Sequence, residues 1–160
     1  MDKSTFMTSL RAERDAWDAL LATVDPARFE EPGFIGGWTL KDVIAHIAWH
    51  EREMVSVITQ RALAGSPWWE LPFDERNARI YAQHKDEPLA DVLAEAETSY
   101  RDFLAAFEAV TDADLNDPAR YAQMPADWEP WRVFSSNTYE HYHDHTADLR
   151  AALAGRAAPP

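Results

Sequence analysis

The chain has 160 residues, 46% of them hydrophobic and 12% aromatic, with 28 acidic against 15 basic side chains and a formal net charge of −13. That length predicts one domain, residues 1–155, followed by a short frayed tail, 156–160. The acidity disfavours phosphate backbones and anionic lipid as partners. The absence of cysteine excludes disulfides and thiolate ligands. The N-terminal stretch carries charges throughout and has no apolar signal core, and no run approaches a membrane span, so the expected location is the cytoplasm.

The apolar spacing predicts a first helix from about Ser4 to Val24. Phe6, Leu10, Trp17, Leu20, Leu21 and Val24 share one face, Glu13 interrupts it, and Ser4 or Thr5 is the expected cap. A loop containing Gly36 and Gly37 leads to Thr39, which with Asp42 three residues on resembles a capping box. The second helix is expected over Leu40–Ala64. His50 falls at the edge of its apolar face, with His46 slightly further round. Gly65-Ser66-Pro67 stops it. A short helix over Phe73–His84 follows an aromatic loop, and Pro88 fits the first turn of a third long helix that carries an apolar seam to Val110. Residues 112–131 read as a long irregular connection. A last helix is expected over Trp131–Ala154, with Phe134, Thr138, His141, Tyr142, His145, Leu149 and Ala152 along one stripe. Four long amphipathic helices without a convincing strand predict an all-α four-helix bundle with a short extra helix and a long loop before the last helix.

Histidines on an apolar stripe need an account, because burying an unpartnered imidazole is costly. His141 and His145, four apart, project from one helical face. With His46 or His50 from the second helix they would offer three nitrogen ligands to a zinc, nickel or iron ion. Asp148 lies one turn after His145 and is a candidate supporting partner or further ligand. Tyr139 and Tyr142 are candidate hydrogen-bonding groups near the site. The alternative is that the histidines are core residues satisfied by ordinary hydrogen bonds. His84 and His143 are expected at the surface. Trp38, Trp49, Trp68, Trp69, Trp128 and Trp131 read first as core or loop anchors and second as walls of a ligand pocket.

GWTLKDVIAHIAWHE (37–51), DERNARIYAQHKDEPLADVLAE (74–95) and NTYEHYHDHTADLRAAL (137–153) together resemble the DinB-like four-helix bundles, and the middle stretch resembles their DfsB-like subgroup, grouped with the colibactin self-protection proteins. The resemblance implies a metal site whose first ligand lies eight residues after the Trp of the WT motif, which is His46. The other two form HxxxH on the last helix, which are His141 and His145. It further implies a metal-dependent hydrolase or thiol S-transferase acting on an electrophilic small molecule, in detoxification or self-resistance. A low-molecular-weight thiol is a possible cosubstrate and a homodimer a possible assembly. His50 and Asp148 are then expected in proton transfer or ligand support. The competing classes are a non-catalytic bundle that sequesters a small molecule and a structural dimerisation module.

Overall fold

The computed structural model describes residues 1–157. Among them there are seven α-helices and no strand. α1 spans Lys3–Leu21, α2 Leu40–Gln60, α3 Phe73–His84, α4 Leu89–Phe107, α5 Asp112–Asn116, α6 Pro130–Ser136 and α7 Tyr139–Ala157. The end of the expected frayed tail, 158–160, lies outside the described residues.

Local chemistry sets most of these boundaries. The cap of α1 is Asp2, not Ser4 or Thr5: its carboxylate accepts from the Thr5 N–H and from both hydroxyls, so the helix starts a residue early. It stops at Leu21, short of Val24. Thr39 and Asp42 form the expected capping box, each side chain accepting from the other's backbone N–H at 3.1 and 2.9 Å. α2 ends at Gln60 rather than Ala64, because Arg61 turns left-handed at φ 51°. Gly36 and Gly37, with φ of 54° and 97°, make the turn before Trp38 that few other residues would tolerate. Pro88 sits just outside α4 as its cap, one place earlier than expected.

Two departures bear on function. The connection over 112–131 is not wholly irregular: Thr111 and Asp114 build a second capping box on α5, and Pro118–Arg120 forms a 3-10 turn. The expected last helix is two helices, α6 and α7, broken at Asn137 and Thr138.

α2 packs most extensively on α4, and α1 on α7, while α3 lies across α2. The core runs between these pairs. Phe6 stacks on Phe107 at 4.6 Å, and Phe103, Leu115, Tyr121 and Phe134 fill the space around them. Such burial supplies on the order of 1.5–3 kcal/mol per large apolar side chain. No helix among the described residues is long and apolar enough to cross a membrane.

Candidate metal centre

α2 and α7 meet with a histidine pair each. His46 and His50 are one turn apart on α2, His141 and His145 one turn apart on α7, so two i,i+4 pairs face each other. Ring centres lie 4.8 Å apart for His46 and His141, 4.7 Å for His50 and His141, 4.7 Å for His141 and His145, and 5.6 Å for His46 and His145. His46, His50 and His141 each direct a ring nitrogen into a group spanning no more than 4.8 Å. His145, expected as the third ligand, stands just outside that group, and His50 stands within it.

The hydrogen bonds leave these rings ready to bind something. His46 Nε2 and His141 Nε2 approach to 3.0 Å, which is close to the roughly 3.3 Å that separates two imidazole nitrogens on one tetrahedral ion. The Nδ1 atoms of both are buried and unpartnered. Asn137 holds its amide in place by donating from Nδ2 to the Val133 carbonyl, so its Oδ1 accepts from His50 Nδ1 at 2.8 Å. That places the His50 proton on Nδ1 and a free lone pair on the buried, unpartnered Nε2. Neither nitrogen of His145 has a hydrogen-bond partner; its Nδ1 lies 3.5 Å from Asp148 Oδ2, too far for a hydrogen bond. Burial keeps all four imidazoles neutral. It pulls His46 down to about 2 and His50 to about 4, and lowers His141 and His145 as well, although Asp148 opposes the last. Neutral imidazole is the form that ligates metal.

The four histidines form the floor of a cavity of about 1000 Å³. Trp38, Trp69 and Trp128 line it; Trp49 stacks on Trp68 instead, so the six tryptophans divide between wall and anchor. Trp69 is held by Glu53, whose Oε2 accepts from its indole N–H and from the Ser66 N–H, both at 2.6 Å. α3 supplies Phe73, Arg76 and Asn77 to the opposite wall, a contribution absent from the reading of the sequence.

Other expectations are corrected. His84 is buried, 5% exposed, because its Nδ1 bonds Glu87 and it lines a separate cleft with Trp49. His143 is exposed, as expected, near Glu13. Tyr142 faces away from the histidines: its hydroxyl donates to Glu51 and accepts from Arg14. Arg14 and Glu51, both buried, are not among the residues expected from the sequence. The signal for Arg14 is its spacing, four residues after Leu10 and three before Trp17 on the same stripe.

Residues 10–150 match the family described as the mycothiol maleylpyruvate isomerase N-terminal domain. The chain belongs to that family. The DinB-like resemblance read from the sequence agrees with this family, and the helical fold it implies is shared with the structural neighbours. Two uncharacterized proteins of Mycobacterium tuberculosis are 36% identical over 61 residues, 38% of this chain. The match spans 24% of the length of those relatives. Among solved structures, a sibling lethal factor precursor, DfsB, superposes with a TM-score of 0.81 at 15% identity, covering 99% of both chains. The colibactin self-resistance protein ClbS, solved with double-stranded DNA, gives 0.79 at 13% identity over 96% of both. A mutant of the mycothiol-dependent maleylpyruvate isomerase gives 0.72 at 18% identity, over 93% of this chain and 61% of that one. These likenesses establish a shared helical fold.

Proposed function

We propose that this protein is a cytoplasmic metal-dependent hydrolase or thiol S-transferase that acts on an electrophilic small molecule, in detoxification or self-resistance. The observation that carries the reading is the buried floor of neutral imidazoles, with five unpartnered ring nitrogens, beneath a large cavity. The family's name supports a thiol cosubstrate, and the self-resistance role in the name of one structural neighbour supports an electrophilic substrate. With no cysteine in the chain, any thiol comes from outside. The net charge of −13 argues against nucleic acid as the working partner, although one neighbour was solved with DNA.

His46, His141 and His145 are the proposed ligands. A set of nitrogen donors without thiolate suits zinc, nickel or iron. When bound, the ion supplies Lewis acidity that brings the pKa of a water or thiol toward neutrality. The protein's own groups do the rest. His50 keeps its proton on Nδ1 against Asn137 and offers Nε2 to accept the proton that the nucleophile releases. Asp148, whose carboxylate lies 3.5 Å from His145 Nδ1, would steady that ring once it closes to hydrogen-bond distance. Trp38 and Trp69 border the histidines with apolar ring surface.

One observation favours a second ligand set. The compact nitrogen group contains His50 rather than His145, which would make His50 the third ligand and His145 the base. Elemental analysis of untagged protein and of its single alanine variants separates these readings. Loss of metal in His46→Ala, His141→Ala and His145→Ala with retention in His50→Ala supports the first. The reverse pattern at the last two positions supports the second. Failure of the wild type to take up stoichiometric metal from any of the three ions refutes both.

A further inference from the structure

Arg76 is a cation inside the cavity without an anion. It sits in the first half of α3, its guanidinium 5.0 Å from the centre of the Trp69 ring and 5.7 Å from that of Phe73. Its Nε is buried and has no hydrogen-bond partner. Among the described residues no carboxylate lies within ion-pair distance of it, whereas the buried Arg14 has Asp18 and Glu97, and Arg61 has Asp114. The two acids that line the same cavity, Asp74 and Asp144, are exposed and do not reach it. Burial therefore lowers the pKa of Arg76 with nothing to offset it. Its charge is felt across the cavity by His46, His50 and His141, whose protonation it opposes. The adjacent Asn77 has a buried Oδ1 that is likewise unpartnered.

A partly buried guanidinium stacked on an indole and left without a carboxylate is costly unless a ligand supplies the anion. Beside Arg76 the cavity offers apolar and aromatic surface from Trp38, Leu63, Trp69, Phe73, Trp128 and Val133. Phe73 and Trp128 are 65% and 45% exposed, an unusual state for side chains of that size, and both belong to its lining. Tyr81 stacks on the cavity residue Trp38 at 5.6 Å and extends the aromatic surface.

We propose that Arg76 is the anion-binding residue of this cavity and that the ligand is an amphipathic carboxylic acid. Its carboxylate pairs with the guanidinium, and its apolar body lies against Trp69, Phe73 and Trp128. A hydroxyl or N–H beside the carboxylate donates to Asn77 Oδ1. This rests on reading the cavity as the substrate site and does not require the metal. Arg76 selects the substrate and sets its orientation toward the histidines.

The test uses 2-naphthoate and its uncharged analogue 2-naphthamide, titrated by calorimetry into the wild type, Arg76→Gln and Arg76→Lys, each as purified and after chelation. Wild type binds naphthoate roughly tenfold more tightly than naphthamide, as a charge-assisted pair implies. Arg76→Gln loses that preference while keeping its affinity for naphthamide, and Arg76→Lys retains part of it. The preference survives chelation. Thermal melts check that the variants fold; Arg76→Lys, which keeps the charge and the aliphatic stem, serves if Arg76→Gln does not. Equal binding of the two probes, no binding of naphthoate, or a preference that persists in Arg76→Gln overturns the proposal. A preference that disappears on chelation but persists in Arg76→Gln assigns the carboxylate to the ion: Arg76 is then refuted and the metal site upheld. Loss in Arg76→Gln with a metal-free wild type gives the opposite division.

Discussion

Glu51 is fully buried on α2, and replacing it with glutamine isolates the cost of ionising it. Its Oε1 accepts from the Tyr142 hydroxyl and its Oε2 from Ser99 Oγ at 2.6 Å. Burial pushes its pKa from 4.5 to about 7, although both hydrogen bonds and Arg14 pull the other way. Below pH 4.5 the folded and unfolded chains both carry the proton, and this group makes no pH-dependent contribution. Above that, the unfolded chain ionises first, so folding takes up a proton and stability falls as pH rises until the folded carboxyl also ionises near 7. The full drop is about 3 kcal/mol at about 1.4 kcal/mol per tenfold change in the protonation constant. Glutamine does not ionise. Its oxygen can accept from Tyr142, and its amide can donate to Ser99 Oγ, which then turns its own proton to the Ala96 carbonyl, 3.1 Å away. The second amide N–H has no partner, at a cost of about 1 kcal/mol. Glu51→Gln is therefore expected to be slightly less stable than wild type at pH 4.5 and about 2 kcal/mol more stable at pH 8. Urea denaturation followed by tryptophan fluorescence at both pH values measures this. A Glu51→Gln penalty that is the same at the two pH values would show that the buried carboxyl is not held protonated, and the reasoning would fail.

Asp114 shows the opposite sign. Hydrogen bonds from Thr111 and Arg61 overcome its burial and hold its carboxyl well below the usual range, so its contribution is present above pH 3.8 and is lost as pH falls further. Asp114→Asn should lower stability by about 2 kcal/mol at neutral pH, and thermal melts should show the gap to wild type closing between about pH 4 and pH 2. Gly65→Ala would place a Cβ 2.1 Å from Glu53 Oε2 and 2.8 Å from the Trp69 indole nitrogen. It should cost about 1–3 kcal/mol and shift tryptophan emission, since the wall residue Trp69 must give way; unchanged emission and stability would refute that packing. Asn137→Ala should remove the acceptor that keeps the His50 proton on Nδ1. Imidazole nitrogen NMR of the metal-free protein should then show a mixed tautomer for His50, whereas the wild type shows Nδ1–H alone.

The parts of the fold legible in the sequence are those whose signals are local. Thr39 and Asp42 build the start of α2 with their own side chains, and the span of α3, Phe73–His84, follows from the prolines and turn residues on either side. The break between α6 and α7 was hidden because the stripe resumes in phase beyond it, with Phe134, Thr138 and Tyr142 all buried. Its signal lay in composition. Ser135, Ser136, Asn137 and Thr138 each turn a side chain back onto a carbonyl three or four residues earlier, competing with the helix's own donors. That break frees Asn137 to meet His50, so one of the two irregular residues in the last segment also sets the tautomer of a site histidine.

The site was half legible for the same physical reason. Periodicity within α7 is enough to put His141 and His145 on one face and His143 on the other. The rank of His46, His50 and His145 around a common point depends on how α2 and α7 cross, which no spacing within either helix encodes. Arg76 is the extreme case. On α3 it reads as one charge among several on a polar helix, and Arg79, one turn on, does pair with Glu75 at the surface. Only the placement of α3 across α2 leaves Arg76 beside Trp69 with no carboxylate within reach. A sequence pattern records which residues share a face of one element. The chemistry of this cavity comes from three helices and the segments that join them, and its least conspicuous member in the sequence is the one that most constrains what can bind.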